Sequence, residues 1–151
     1  MIESIVLAGV LAAGPQLPEP IQKGEKYHPS PVSLYQGREY VKRHNKYRVC
    51  VRGRESSDYY NAVSKPPNTY RGAYQFSQAL KNGAAWMMQK SMRRNGVSAK
   101  QAKRIRKELQ AHPMNQWHPY WQDRAFWTVW DRGNGRFHWA HTVPGTACFP
   151  E

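Results

Sequence analysis

The chain has 151 residues and a mass of 17.5 kDa, which is enough for one domain with a tail and too little for two hydrophobic cores. Its 23 lysines and arginines against 10 acidic residues give a net charge of +13, and 13% of the residues are aromatic. This aromatic content excludes a chain that is disordered throughout, and the charge favours a polyanionic partner: nucleic acid, an anionic membrane or an anionic cell-wall polymer.

The N-terminal segment, residues 1–13, ends in the apolar run Ile5–Ala13, which is too short to cross a bilayer as a helix. The run has the length of the apolar part of a signal peptide. However, the early charge is Glu3 rather than a basic group, and Pro15 follows the small residues where cleavage would occur. We therefore expect a retained tail that contacts another protein, in a virion or an envelope, or a membrane surface.

Prolines dominate the next segment, between residues 14 and 37, at positions 15, 18, 20, 29 and 31. This spacing excludes a continuous helix or a ladder of strands. Beyond Arg38 an aromatic and β-branched pattern begins with Tyr40, Tyr47 and Val49. We predict an apolar segment and extended arm over residues 1–38 and one folded domain over residues 39–151.

The two cysteines, Cys50 and Cys148, have neither a CxxC spacing nor a paired histidine at zinc-finger spacing. They either form a disulfide between the start and the end of the domain, which would imply an oxidising environment, or remain as two buried thiols. The six histidines show no metal-ligand motif. We expect no metal and no cofactor.

Glu55 is the first residue that indicates chemistry. It is predicted to end a helix among apolar and aromatic neighbours, where desolvation disfavours the charged form of a carboxyl group and allows it to act as a general acid. The alternative is an ordinary surface ion pair of Glu55 with Arg52 or Arg54.

A wider pattern surrounds Glu55, and its residues are Glu55, Ser56, Tyr59 or Tyr60, Ala62, Ser64, Gly72, Ala73, Gln75 and Phe76, preceded by Cys50. Together they resemble the signature of the lysozyme-like lytic transglycosylases and resuscitation-promoting factors. The resemblance covers about residues 47–151, because Gln122-Asp-Arg-Ala-Phe-Trp is similar to the late helix of that family and Cys148 closes the domain. The segment between Phe76 and Gln122 has no counterpart in the family's compact form.

The resemblance implies a lysozyme-like α+β domain, mainly α, with a small β element around residues 64–76. It implies that Glu55 protonates the β-1,4 bond between N-acetylmuramic acid and N-acetylglucosamine in peptidoglycan. Both a secreted enzyme and one carried in a phage particle would act in this way, outside the cell or in its wall.

Further substrate contacts follow from the same resemblance. Gln75 would hydrogen-bond a sugar or its acetamido group, Tyr70 and Tyr74 would stack on sugar faces, and Ser64 would hold the turn opposite the acid. The alternatives are plain packing for the tyrosines and a local turn-capping role for Ser64. We expect Trp127 and Trp139 to belong to the core; the alternative is that one of them lines the sugar cleft, because glycan faces stack on indole rings.

A glycoside hydrolase needs a second carboxylate beside the general acid. The candidates are Asp58, Asp123 and Asp131, and none of them has a recognisable position for that role. This favours transglycosylation, in which the 6-hydroxyl of the sugar itself closes on the anomeric carbon.

Two basic helices are predicted between Trp86 and Gln110, broken at residues 95–98, with Ser98 capping the second. A further helix is predicted from about Pro119, with its apolar side chains forming core. The basic helices form either a solvated surface or a contact for an anionic polymer through Lys90, Arg93, Arg94, Lys103, Arg104, Arg106 and Lys107.

Three function classes therefore remain. The first is a peptidoglycan-cleaving enzyme; the second is a nucleic-acid-binding module that uses the basic helices, residues 90–107. The third is a structural or assembly protein on a lysozyme-like fold, attached through residues 1–13. We expect the first, because Glu55 and the pattern around it belong to that class.

Overall fold

The computed structural model describes residues 16–24, 26–140, 145 and 147–149, so the predicted contacts of residues 1–13 lie outside the described residues. The helices are α1 (Asn45–Ser56), α2 (Gln78–Arg94), α3 (Ala99–Ala111) and α4 (Pro119–Trp130). Short 3-10 helices cover Lys42–His44, Met114–Gln116, Asp131–Gly133 and Arg136–Trp139. Within the described residues, no helix is long and apolar enough to cross a membrane.

Helix α4 is the centre of the molecule. It begins at Pro119, as predicted, and every residue from Trp121 to Trp130 is buried. A helix that is buried on all sides has to be surrounded by other elements. Accordingly, the ring of Trp130 lies 4.4 Å from that of Tyr47 in α1, and that of Phe126 lies 4.7 Å from that of Tyr74.

Helices α2 and α3 form a hairpin, and α2 also packs against α4. The predicted break and cap are confirmed, since the Ser98 hydroxyl accepts a hydrogen bond from the Gln101 amide at 3.2 Å. Helix α3 buries one stripe, made of Ala102, Ile105, Arg106 and Leu109, and exposes the rest to solvent. It is therefore an amphipathic helix with a basic outer surface.

The prediction of an α+β fold with a small β element is wrong, because the described residues contain helices and no strand. Around residues 64–76 only isolated bridges form, Val63 with Arg71 and Arg71 with Phe76. The physical reason is the local sequence. Pro66 and Pro67 have no amide hydrogen for a ladder, and the left-handed backbone of Gly72 and Gln75 turns the chain after a single pair.

The Pro-rich arm crosses α4 instead of extending into solvent. The carbonyl of Pro18 accepts from the Trp121 indole at 3.1 Å, and the Ser33 hydroxyl accepts from the Trp127 indole at 3.0 Å. A backbone carbonyl and a side-chain hydroxyl of the arm thus satisfy the indole donors of a buried helix. The domain boundary at residue 38 stays a prediction.

The two cysteines form a disulfide, with their Cα atoms 5.9 Å apart. This confirms the pairing and excludes the alternative of two buried thiols. Because Cys50 lies in α1, the bond ties the C-terminal segment to the helix that carries Glu55.

Candidate functional site

Glu55 lies at the C-terminal end of α1, as predicted. The helix ends at Ser56, and Ser57 follows in the left-handed conformation, with its amide hydrogen-bonded to the carbonyl of Gly53 at 3.0 Å. The Glu55 side chain is 20% exposed. The helix end thus fixes the backbone position of Glu55, and the side chain is largely covered.

The Glu55 carboxylate is paired with Arg54. The guanidinium donates to Oε1 of Glu55 from Nη2 at 2.6 Å and from Nε at 3.0 Å. The ion pair that the sequence left open is therefore present, and it involves Arg54 rather than Arg52. Arg52 is buried and donates to Asp58 instead.

Trp139 joins the helix end to the second part of the motif. Its carbonyl accepts a hydrogen bond from Arg54 Nη2 at 2.8 Å, and its indole donates to the carbonyl of Tyr74 at 3.0 Å. Arg54 therefore contacts Glu55 and Trp139 together, while Trp139 contacts the residue next to Gln75. Trp139 therefore connects the two separated parts of the pattern through its backbone carbonyl and its indole.

The turn that carries Gln75 depends on a glycine. Gly72 has φ +83°, and a Cβ atom there would lie 2.5 Å from Oε1 of Gln122. That oxygen accepts a hydrogen bond from the Ala73 amide at 2.8 Å, while Gln75 Nε2 donates to the carbonyl of Gly72 at 3.0 Å. The Gly-Ala-x-Gln pattern thus has a structural explanation, since α4 approaches the turn too closely for a side chain.

Two candidate sugar-binding side chains lie in the core. Tyr74 is fully buried, and its hydroxyl donates to Asp123 at 2.6 Å. Trp127 is also fully buried, and its indole donates a hydrogen bond to the Ser33 hydroxyl. Neither ring has a face open to a sugar, so both have the packing role that the sequence also offered.

Ser64 and Tyr70 lie together in the loop before the turn. The Ser64 hydroxyl donates to the carbonyl of Asn68 at 2.9 Å and accepts from the Tyr70 amide at 2.7 Å. It therefore has the turn-capping role. The side chain of Tyr70 is 41% exposed, which leaves its ring accessible for a sugar contact.

The three candidate second carboxylates are held at other places. Asp58 forms an ion pair with Arg52. Arg52 and Arg54 are two residues apart in α1, so their side chains leave the helix about 200° apart. Asp123 is fully buried. Asp131 follows Trp130, whose indole donates to His44 at the start of α1. Glu55 lies at the opposite end of α1.

Asp123 organises a buried polar network that the sequence did not indicate. Its Oδ1 accepts from the hydroxyls of Tyr60 and Tyr74 at 2.6 Å each, and its Oδ2 accepts from the amide of Leu34 at 2.8 Å. Arg48 Nη1 lies 3.6 Å from Oδ1. Burial and the negative charge of Asp123 raise the pKa of both tyrosines, so they remain donors. The sequence signal for this network was the presence of Asp123, a charged residue, in a helix predicted to form core.

One predicted polymer-binding cation is not at the surface. Arg106 is buried, its guanidinium lies 3.7 Å from the ring centre of Trp86, and it donates to Gln110 at 2.6 Å. The other six predicted cations are exposed, namely Lys90, Arg93, Arg94, Lys103, Arg104 and Lys107. The basic surface therefore persists without Arg106.

Comparison with family models, curated proteins and solved structures finds no match to this chain. Among the described residues, no group of three histidine, cysteine, aspartate or glutamate side chains is placed to hold a metal ion. A function therefore has to be argued from the side chains around Glu55.

Proposed function

We propose that this protein cleaves the glycan strands of peptidoglycan, with Glu55 as the general acid. The observation that supports this proposal best is the position of Trp139, which hydrogen-bonds both Arg54 beside Glu55 and Tyr74 beside Gln75. Trp139 thus links the neighbours of an acid and an amide that lie 20 positions apart in the sequence. Gln75 and the exposed ring of Tyr70 are the proposed sugar contacts.

The proposed reaction begins when Glu55 donates its proton to the glycosidic oxygen between N-acetylmuramic acid and N-acetylglucosamine. The bond from that oxygen to the anomeric carbon of muramic acid breaks as positive charge develops on the sugar ring. Before this step the ion pair of Glu55 with Arg54 opens as the glycan binds, and the freed carboxylate takes up a proton from solvent. The carbonyl of Trp139 remains a hydrogen-bond acceptor for Arg54.

The positions of the other carboxylates support a transglycosylase rather than a hydrolase. Asp58 is bound by Arg52, and Asp123 is buried between tyrosines. With a single carboxyl group, the 6-hydroxyl of muramic acid attacks the anomeric carbon, and the Glu55 carboxylate takes up the hydroxyl proton. The acid is thereby regenerated, and the product is a 1,6-anhydro sugar.

The disulfide supports an extracytoplasmic site of action, because such bonds persist in oxidising environments. We propose that the protein acts at the cell wall, either as a secreted enzyme or as part of a virion. The exposed cations of α2 and α3 are proposed to hold the anionic wall during cleavage.

The test compares the release of soluble muropeptides from purified peptidoglycan by the wild type and by Glu55→Gln. We expect release by the wild type and a loss of at least about 100-fold in the variant, because general acid catalysis contributes a factor of this order. Mass spectrometry of the released fragments is expected to show anhydro ends, which are about 18 Da lighter than the reducing ends of a hydrolase product.

Glu108→Gln is the matched control, since it makes the same chemical change at a half-buried position of α3, where Glu108 pairs with Arg104. Its release rate should equal that of the wild type. Circular dichroism establishes that both variants are folded. Unchanged release by folded Glu55→Gln, or no release by the wild type from walls of several compositions, would overturn the proposal.

A further inference from the structure

Three arginines from separate parts of the chain line one cavity of about 230 Å³. Arg38 precedes α1, Arg94 is the last residue of α2, and Arg132 follows α4. The cavity also contacts Glu39 and Asp131. It was not visible in the sequence, because the three arginines are 38 or more positions apart.

The backbone beneath these arginines is fixed. Arg38 lies in a turn closed by the hydrogen bond from the Tyr40 amide to the carbonyl of Gly37 at 3.0 Å. Arg132 lies in a left-handed conformation with φ 56°, directly after Asp131 with φ 41°. Consecutive positive φ angles at residues other than glycine cost free energy, and they persist where the surrounding structure imposes them.

The arginines converge without a protein partner. Within the described residues, the side chains of Arg38, Arg94 and Arg132 make neither an ion pair nor a hydrogen bond. Like charges that share a cavity repel each other; Glu39 and Asp131 offset part of this repulsion, and a bound anion would offset more of it.

The two carboxylates of the cavity are already used by other groups. Both oxygens of Glu39 accept hydrogen bonds, one from the hydroxyl of Tyr35 and one from that of Ser91. Asp131 Oδ2 accepts from the side chain of Asn134 at 3.1 Å. Neither carboxylate forms an ion pair with the three arginines within the described residues, so the guanidinium N–H groups remain available as donors to a ligand.

A second cavity of about 270 Å³ continues the first. It shares Glu39, Arg94 and Asp131 with the arginine cavity and adds Lys90. Four cations thus follow one another along a groove beside the C-terminal half of α2. Such a groove has room for two anionic groups in succession, as on a polymer.

We propose that this groove is a binding site for phosphate groups, and that it takes them from a phosphodiester-linked polyol polymer of the cell wall. Guanidinium groups form paired, charge-assisted hydrogen bonds with phosphate oxygens, so three of them around one cavity match a tetrahedral anion. The choice of a wall polymer as the source rests on the proposed function; the phosphate site itself does not.

The groove is separate from Glu55. It lies near the start of α1, because Arg38 precedes that helix and Asp131 follows Trp130, whose indole binds His44. Glu55 is ten residues along α1, which corresponds to about 15 Å of helix. A polymer bound in the groove would hold the enzyme on the wall without occupying the residues around Glu55.

The experiment is a calorimetric titration of the full-length chain with inorganic phosphate at constant ionic strength. We expect saturable binding by the wild type and binding that is weaker by about tenfold or more in Arg38→Gln/Arg132→Gln, which lacks two charged donors. The control Lys23→Gln/Lys65→Gln removes the same charge from exposed positions outside α2, α3 and the groove. It should bind phosphate within about twofold of the wild type.

Absence of saturable phosphate binding by the wild type, or an equal loss in both double variants with unchanged folding by circular dichroism, would overturn the phosphate site.

A second titration, with Glu55→Gln protein, tests the source of the phosphate groups. It compares poly(glycerol phosphate) with a single-stranded oligodeoxynucleotide that has the same number of phosphates. We expect the polyol polymer to bind more tightly than inorganic phosphate and than the oligonucleotide. Stronger binding of the oligonucleotide, or a polymer no tighter than phosphate, would overturn the proposed source. Because cleavage is not measured, these results do not depend on Glu55 being an acid.

Discussion

At the scale of single residues, His44 and Trp130 show how one hydrogen bond fixes a protonation state. The Trp130 indole donates to Nδ1 of His44 at 3.0 Å, and the rings meet edge to face with their centres 5.5 Å apart. An imidazole that accepts at Nδ1 carries no proton there. Burial, with a contribution from Arg43, lowers the pKa of His44 below its ordinary value of 6.5.

This pKa shift predicts a loss of stability in acid. Below about pH 6.5 the unfolded chain takes up a proton at His44 that the folded protein does not bind, so the free energy of unfolding falls as the pH falls. Burial lowers the pKa of His118 and of His138 as well, which acts in the same direction. The urea midpoint should therefore be lower at pH 5 than at pH 7.5.

His44→Gln is the matched variant, because its amide oxygen accepts the indole hydrogen bond and does not titrate. We expect a smaller drop of the urea midpoint between the two pH values in this variant than in the wild type. An equal drop in both proteins would mean that His44 takes no part in the acid sensitivity.

At the scale of elements, the end of α4 depends on Gly135. A Cβ atom at this position would lie 1.8 Å from the carbonyl oxygen of Val129, and the Gly135 amide donates to the carbonyl of Trp130 at 3.1 Å. The loop after α4 is thus pressed against the last turn of the helix. This close contact presents Arg132 in the phosphate-binding groove.

Gly135→Ala is expected to reduce the free energy of unfolding by about 1–3 kcal/mol, because backbone has to move to remove the clash. Gly83→Ala is the control. Gly83 is an exposed residue inside α2, and a Cβ atom there meets nothing within 4 Å, so alanine should stabilise the helix by about 0.5–1 kcal/mol. Chemical denaturation measures both, and stabilisation by Gly135→Ala would show that the loop is not pressed against the helix.

At the scale of the whole molecule, the Cys50–Cys148 disulfide closes a loop that contains α2, α3 and α4. The two residues are 98 positions apart, and the entropy that a cross-link removes from the unfolded chain grows with the length of the closed loop.

Removal of this disulfide in Cys50→Ser/Cys148→Ser should reduce the free energy of unfolding by about 4–5 kcal/mol, the entropic value for a loop of this length. Denaturant midpoints in the presence and absence of a reductant measure the effect. Reductant should lower the midpoint of the wild type and leave that of the variant unchanged. A wild-type midpoint that does not respond to reduction would contradict the prediction.

Local features of the sequence were sufficient for several elements. The start of α4 at Pro119, the cap at Ser98 and the position of Glu55 at the end of α1 were predicted correctly, because caps and helical periodicity involve residues only a few positions apart. The expected β element was predicted wrongly. Val63 and Phe76 would belong to strands only if further backbone pairs formed beside their single bridges with Arg71. The prolines and the left-handed residues prevent such pairs.

The sequence by itself determined the basic charge, the helices with local signals and the placement of Glu55 at a helix end. Tertiary structure alone decided that Tyr74 is buried, that Asp123 accepts hydrogen bonds from Tyr60 and Tyr74, and that three distant arginines line one cavity. The physical reason is the distance along the chain. Tyr74 and Asp123 are 49 positions apart, and Leu34 and Asp123 are 89 apart, so their contacts exist only after α4 has become the centre of the fold.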